Sequence, residues 1–86
     1  MNLIPTAGYQ RDFSRLPRQV QQRVIKALEL LSTNPRHPSL HFKKIKGRET
    51  FREIRVTQSY RIVLEQVSGE DFYLRTVGTH DVLKKP

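Results

Sequence analysis

The sequence predicts an α+β fold in which two N-terminal helices pack on one face of a small, mainly antiparallel sheet. Three observations predict it. Apolar residues recur at helical spacing between Tyr9 and Leu31 and alternate singly between Phe51 and Val77. The links between the later apolar segments are also short, which makes successive strands antiparallel neighbours.

"NLI", ahead of Pro5, is short and apolar enough for an opening strand. From Gly8 to Leu16, Tyr9, Phe13 and Leu16 fall on one face of a helix. Pro17 suits the first turn of a second helix, where a missing N–H costs nothing. Within "RQVQQRVIKALELLS", Val20, Val24, Ala27 and Leu31 form an apolar stripe widened by Ile25, Leu28 and Leu30. This helix ends before "TNPRHP", where Pro35 and Pro38 bar its continuation. "SLHFKKIKGRET" reads as a connecting segment dense in cations, with a turn at Gly47. "FREIRVT", "YRIVLEQV" and "DFYLRTV" read as three strands; "SGED" is a clear turn, and "TQS" is a weaker hairpin link because it lacks Asn-Gly or Asp-Gly.

Alternation sorts the side chains of these strands. Ile54 and Val56 share one face, opposite Phe51, Glu53, Arg55 and Thr57. Tyr60, Ile62 and Leu64 oppose Arg61, Val63 and Glu65; Phe72, Leu74 and Thr76 oppose Tyr73, Arg75 and Val77. Two helices cover one face of such a sheet, which leaves the other partly open. Glu53, Arg55 and Arg61 are expected to meet there, with His80 arriving from the end of the last strand.

The 86 residues suit one small domain spanning 1–86. With 36% hydrophobic and 28% charged residues, the chain is globular rather than disordered. It has no Cys, which excludes disulfides and thiolate metal sites. The N-terminus lacks the pattern of a secretory signal and no segment has the roughly 20 apolar residues that span a bilayer, so the cytoplasm is the expected address and no membrane association is expected. A net charge of +8 points to a polyanionic partner, nucleic acid first among them. An acidic protein or an anionic surface would also satisfy it.

The order of these segments, with "NPRHPSLHFKKIKG", "FREIRV", "SYRIVLEQV" and "VGTHDVL", resembles the RelE/ParE superfamily of bacterial toxins from toxin–antitoxin systems, over nearly the whole chain. The resemblance implies a microbial-RNase-like fold and, in its RelE/YafQ-like branch, metal-free cleavage of mRNA, often in the ribosomal A site, with no cofactor. It makes Arg61, in its "YR" motif, a contact to the scissile phosphate and His80, in "GTH", a proton-transfer residue. Lys43, Lys44, Lys46 and Arg48 resemble residues that hold RNA phosphates. A small, acidic antitoxin encoded alongside is implied as partner, together with mRNA and the ribosome. The chain departs from several RelE-type enzymes in reading "FREIR" where they cluster lysines, and in ending "DVLKKP" where some place a tyrosine.

Elementary chemistry asks for the same residue types. Cleavage of RNA by its own 2′-hydroxyl needs a base, a cation against the developing phosphorane charge and an acid for the leaving 5′-oxygen. Histidine serves proton transfer near neutral pH, and arginine offers a permanently charged fork to phosphate oxygens. Glu53 or Asp81 is the candidate base, or the group that orients Arg or His; Arg55 completes the candidate cluster. Alternatively, Arg61 simply pairs with Glu53 or Glu65 across the sheet, and the lysines form a solvated loop. His37 and His41 are separated by Pro38, so they form no helical metal pair and no metal is expected. Two other functions fit the superfamily: a ParE-like poison of DNA gyrase and a non-catalytic antitoxin-binding module.

Overall fold

The computed structural model describes residues 1–79 and 81. In chain order the elements are β1 (Asn2–Pro5), α1 (Ala7–Ser14), α2 (Arg18–Thr33), a 3-10 turn (Pro38–Leu40), β2 (Lys43–Ile45), β3 (Arg48–Arg55), β4 (Tyr60–Gln66) and β5 (Asp71–Thr79). The five strands form one sheet in the order β1-β5-β4-β3-β2. β1 runs parallel to β5 and every other pair is antiparallel.

Thr6 joins the helical half to the sheet. Its Oγ1 accepts from the Tyr9 backbone N–H at 3.2 Å, capping α1, and donates to the Leu74 carbonyl of β5 at 2.7 Å. α1 then lies against β5, where the Thr76 hydroxyl donates to Asp12 at 2.5 Å. α2 follows Pro17 and turns Val24, Ala27 and Leu31 inward. Its last turn closes with the Asn34 N–H on the Leu30 carbonyl at 2.7 Å, just before Pro35.

The core lies between the helices and one face of the sheet. Val24, Leu31, Ile54, Ile62 and Leu64 are fully buried, with Tyr9, Leu40, Phe72, Leu74 and Val77 nearly so. Phe42 meets Phe72 edge-on, ring centroids 6.2 Å apart. Among the described residues no helix is long and apolar enough to cross a membrane.

Two sequence expectations are corrected. The segment expected to be a plain connection contains β2 and the first residues of β3, joined by a turn at Gly47, whose φ of +81° lies in the left-handed region. Pairing against β3 makes Lys43–Ile45 a strand, although three residues carry no usable alternation of their own. The second correction concerns β5. The pairing of β4 with β5 shifts between Val63 and Leu64, so that Val63 faces Thr76, Leu64 faces Leu74, and Arg75 is the extra residue of a bulge. The bulge inverts the alternation beyond it: Val77, only 3% exposed, joins Phe72 and Leu74 in the core, and Thr76 faces the other way.

Two measurements test this packing. Leu31→Ala should cost about 2–5 kcal/mol, read as a lower urea midpoint at unchanged m-value. Burial raises the Tyr9 phenol from 10.0 to about 12. Because the fold favours the neutral phenol, that contribution to stability is complete below pH 10 and is lost as pH rises through about 12. In an absorbance titration of the folded protein, Tyr9 should therefore ionise late, and Tyr9→Phe should remove the late transition.

Candidate functional site

The face of the sheet away from the core is built from the alternate residues of the same strands. Ile54 pairs with Ile62 in the core, so the next pair along, Arg55 with Arg61, stands on the open face directly across β3 and β4. The neighbouring row on that face runs Lys43, Glu53, Val63, Thr76 from β2 to β5. Val63 is fully buried although it belongs to this face.

Arg61 is held in place by the turn that precedes it. Its Nη1 donates to the carbonyls of Thr57 (2.8 Å), Gln58 (3.2 Å) and Tyr60 (3.1 Å), while its Nε lies 3.9 Å from Glu53 Oε1. Both partners of this ion pair are largely buried, at 15% and 11% side-chain exposure. At 3.9 Å the pair is a long one, and the three carbonyl contacts fix the guanidinium more firmly than the carboxylate does.

Arg55 has a different environment. Its Nε is buried without a hydrogen-bond partner. A buried unpaired donor costs on the order of 1–3 kcal/mol, and like charges directly opposite on adjacent strands are also unfavourable. Two unfavourable terms therefore coincide at Arg55, and an arginine fork is a group that suits phosphate oxygens.

The expected residues divide as follows. Glu53, Arg55 and Arg61 come together on the open face, with Lys43 beside Glu53 in register. Lys44 does not join them: it pairs with Arg52, on the other face of the sheet, and its Nζ lies 3.9 Å from Glu49. Strand alternation thus splits the lysines expected to act as one cluster. Lys46 sits in the β2–β3 turn, and the Arg48 guanidinium lies over the Phe51 ring, 5.6 Å from its centroid. Asp81 is exposed just beyond β5, and His80 lies outside the described residues.

Sequence reading gave no role to Arg75. Its Nη1 lies 3.7 Å from Glu65 on the open face, which makes it a further cation there. Arginine at a strand position opposite the core is too common a signal to single out without its contact to Glu65. A cavity of about 530 Å³ near His37, His41, Arg36 and Phe42 shares no residue with this face. Among the described residues no three His, Asp or Glu side chains gather as a metal-ligating group.

Five strands in this order with two helices packed against them define the RelE-like toxin fold. The chain is similar to the RelE toxin structure in the RelB–RelE antitoxin–toxin complex from Methanococcus jannaschii, with 23% identity, a TM-score of 0.74 and 95% of each chain covered. It is also similar to YafQ in the E. coli DinJ–YafQ toxin–antitoxin complex, with 15% identity, a TM-score of 0.77 and coverage of 95% of this chain and 94% of that one. A YoeB/ParE toxin from Agrobacterium tumefaciens matches at 18% identity and a TM-score of 0.74, over 93% and 99% of the two chains. No family model matches the sequence, and no curated protein matches it. At these identities the likeness establishes the fold, and the chain has that of the RelE/ParE toxin superfamily.

Arg55→Met should raise stability by about 1 kcal/mol by removing the unpaired donor and the facing charge. Inorganic phosphate should raise the melting temperature of the parent and leave that of the variant unchanged. Thermal unfolding with and without phosphate checks both.

Proposed function

We propose that the chain is the toxin of a type II toxin–antitoxin pair and that it cleaves mRNA, acting on translating ribosomes. The observation that carries this reading is the cross-strand pair Arg55 and Arg61, with one guanidinium fixed by backbone carbonyls, the other bearing an unpartnered buried Nε, and Glu53 beside them. Such a site suits a phosphodiester whose charge increases during reaction.

In the proposed reaction the 2′-hydroxyl of the substrate attacks the adjacent phosphorus. The new O2′–P bond forms as the P–O5′ bond breaks, leaving a 2′,3′-cyclic phosphate and a 5′-hydroxyl. Arg61 and Arg55 hold the non-bridging oxygens, where fixed cations stabilise the transition state more than the ground state. Glu53 takes the 2′-hydroxyl proton and keeps Arg61 oriented. His80, which follows β5 directly in the chain, gives a proton to the 5′-oxygen. Lys43 and Arg48 bind flanking phosphates.

The partner in this reading is a small acidic antitoxin. Net charge +8 favours its association, and the structures of similar fold include a toxin bound to RelB and one bound to DinJ.

Primer-extension mapping of mRNA ends after brief induction in cells tests the proposal. New ends are expected with the parent. Arg61→Ala should lower cleavage about 100-fold or more, the scale of losing a transition-state donor, and His80→Ala should reduce it strongly, at matched protein levels. Growth arrest with intact mRNA, unchanged by either substitution, would refute the nuclease and direct attention to gyrase or another binding target.

A further inference from the structure

A third row crosses the open face beyond the arginine pair and the Glu53 row. It runs Phe51, Glu65, Tyr73, Ile4 from β3 to β1. Tyr73 and Ile4 are neighbours in register and are among the few exposed large apolar residues, at 36% and 40%. Two cations flank the row: Arg75 reaches it from the bulge, with its Nη1 3.7 Å from Glu65, and Arg48 lies over Phe51. Glu65 is the one carboxylate in the row, and its charge is offset by Arg75. Along β4, Arg61 and Glu65 are four residues apart, a span of about 13 Å on one face at 3.3 Å per residue.

We infer that Tyr73, supported by Ile4 and flanked by Arg75, is a nucleobase-stacking subsite for single-stranded RNA whose phosphate is held at Arg55 and Arg61. The inference rests on the nuclease reading. An exposed ring with an arginine beside it, in line with a cationic site a short stretch of chain away, is what a single strand requires: stacking is indifferent to base identity and the cations follow the backbone. The surplus of Arg and Lys on the same face favours an RNA occupant over an apolar protein segment. The subsite sets the line the strand takes across the sheet, and it makes affinity depend on a base distant from the bond that is cut.

The test is fluorescence anisotropy with a short labelled 2′-O-methyl oligoribonucleotide, which the enzyme cannot cleave, and with the same oligomers carrying a single abasic position. Tyr73→Ala should weaken binding about tenfold without altering its salt dependence, and Tyr73→Phe should bind as the parent does. One abasic position should weaken the parent to the same degree and remove its sensitivity to Tyr73→Ala. Arg61→Ala should instead lower the salt slope by about one. If Arg61→Ala behaves so and Tyr73→Ala binds as the parent, the subsite is wrong and the nuclease reading stands. If Tyr73→Ala weakens every abasic oligomer as much as the intact one, stacking is wrong. If the parent binds no oligoribonucleotide, both readings fall. If Tyr73→Ala weakens only the complex with an acidic protein partner, the face belongs to that protein and the subsite is overturned.

Discussion

The register between β3 and β4 is the constraint on which the rest depends. It seats Ile54 against Ile62 in the core, and the pleat then delivers Arg55 and Arg61 together to the opposite face. A slip of β4 by one residue would carry Ile62 off the core face and turn Arg61 onto it. The hydrophobic effect therefore enforces the site indirectly. Ile54, Ile62 and Leu64, fully buried, each lock a neighbouring arginine or glutamate on the far side of the same strand.

That coupling explains how a small domain tolerates a poorly compensated cationic face. Lys43, Arg55, Arg61 and Arg75 share the face with Glu53 and Glu65, leaving an excess of positive charge. The covered face supplies most of the stability, with Val24, Leu31, Ile54, Ile62 and Leu64 fully buried. Arg61 adds order of its own by bonding three turn carbonyls, so its guanidinium is positioned before any ligand arrives. Arg55 lacks that support at Nε, which is buried without a hydrogen-bond partner, so the two facing arginines differ in how far the fold satisfies them.

The bulge in β5 makes the second contribution. One extra residue carries Val77 into the core and turns Thr76 out of it, so β5 changes from an alternating strand into one that serves the open face at both Tyr73 and Thr76. Thr76 then donates to Asp12 of α1, which ties the first helix to the strand it flanks. The helices, the core and the open face thus meet on β5, the strand paired on one side with β4 and on the other with β1.

The sequence by itself determined the fold class, both helices and the pairing of Glu53, Arg55 and Arg61 on one face. Those features follow from local periodicities of 3.6 and 2 that each segment carries in its own residues. It left open β2, the bulge and the separation of Lys43 from Lys44. A strand of three residues has no pattern apart from its partner, and the parity of β5 changes at a point set by how β4 pairs with it. The sequence showed Arg55 as an arginine in an alternating strand; only the tertiary structure left its Nε buried without an acceptor, because hydrogen-bond satisfaction depends on neighbours brought together by folding rather than by the chain.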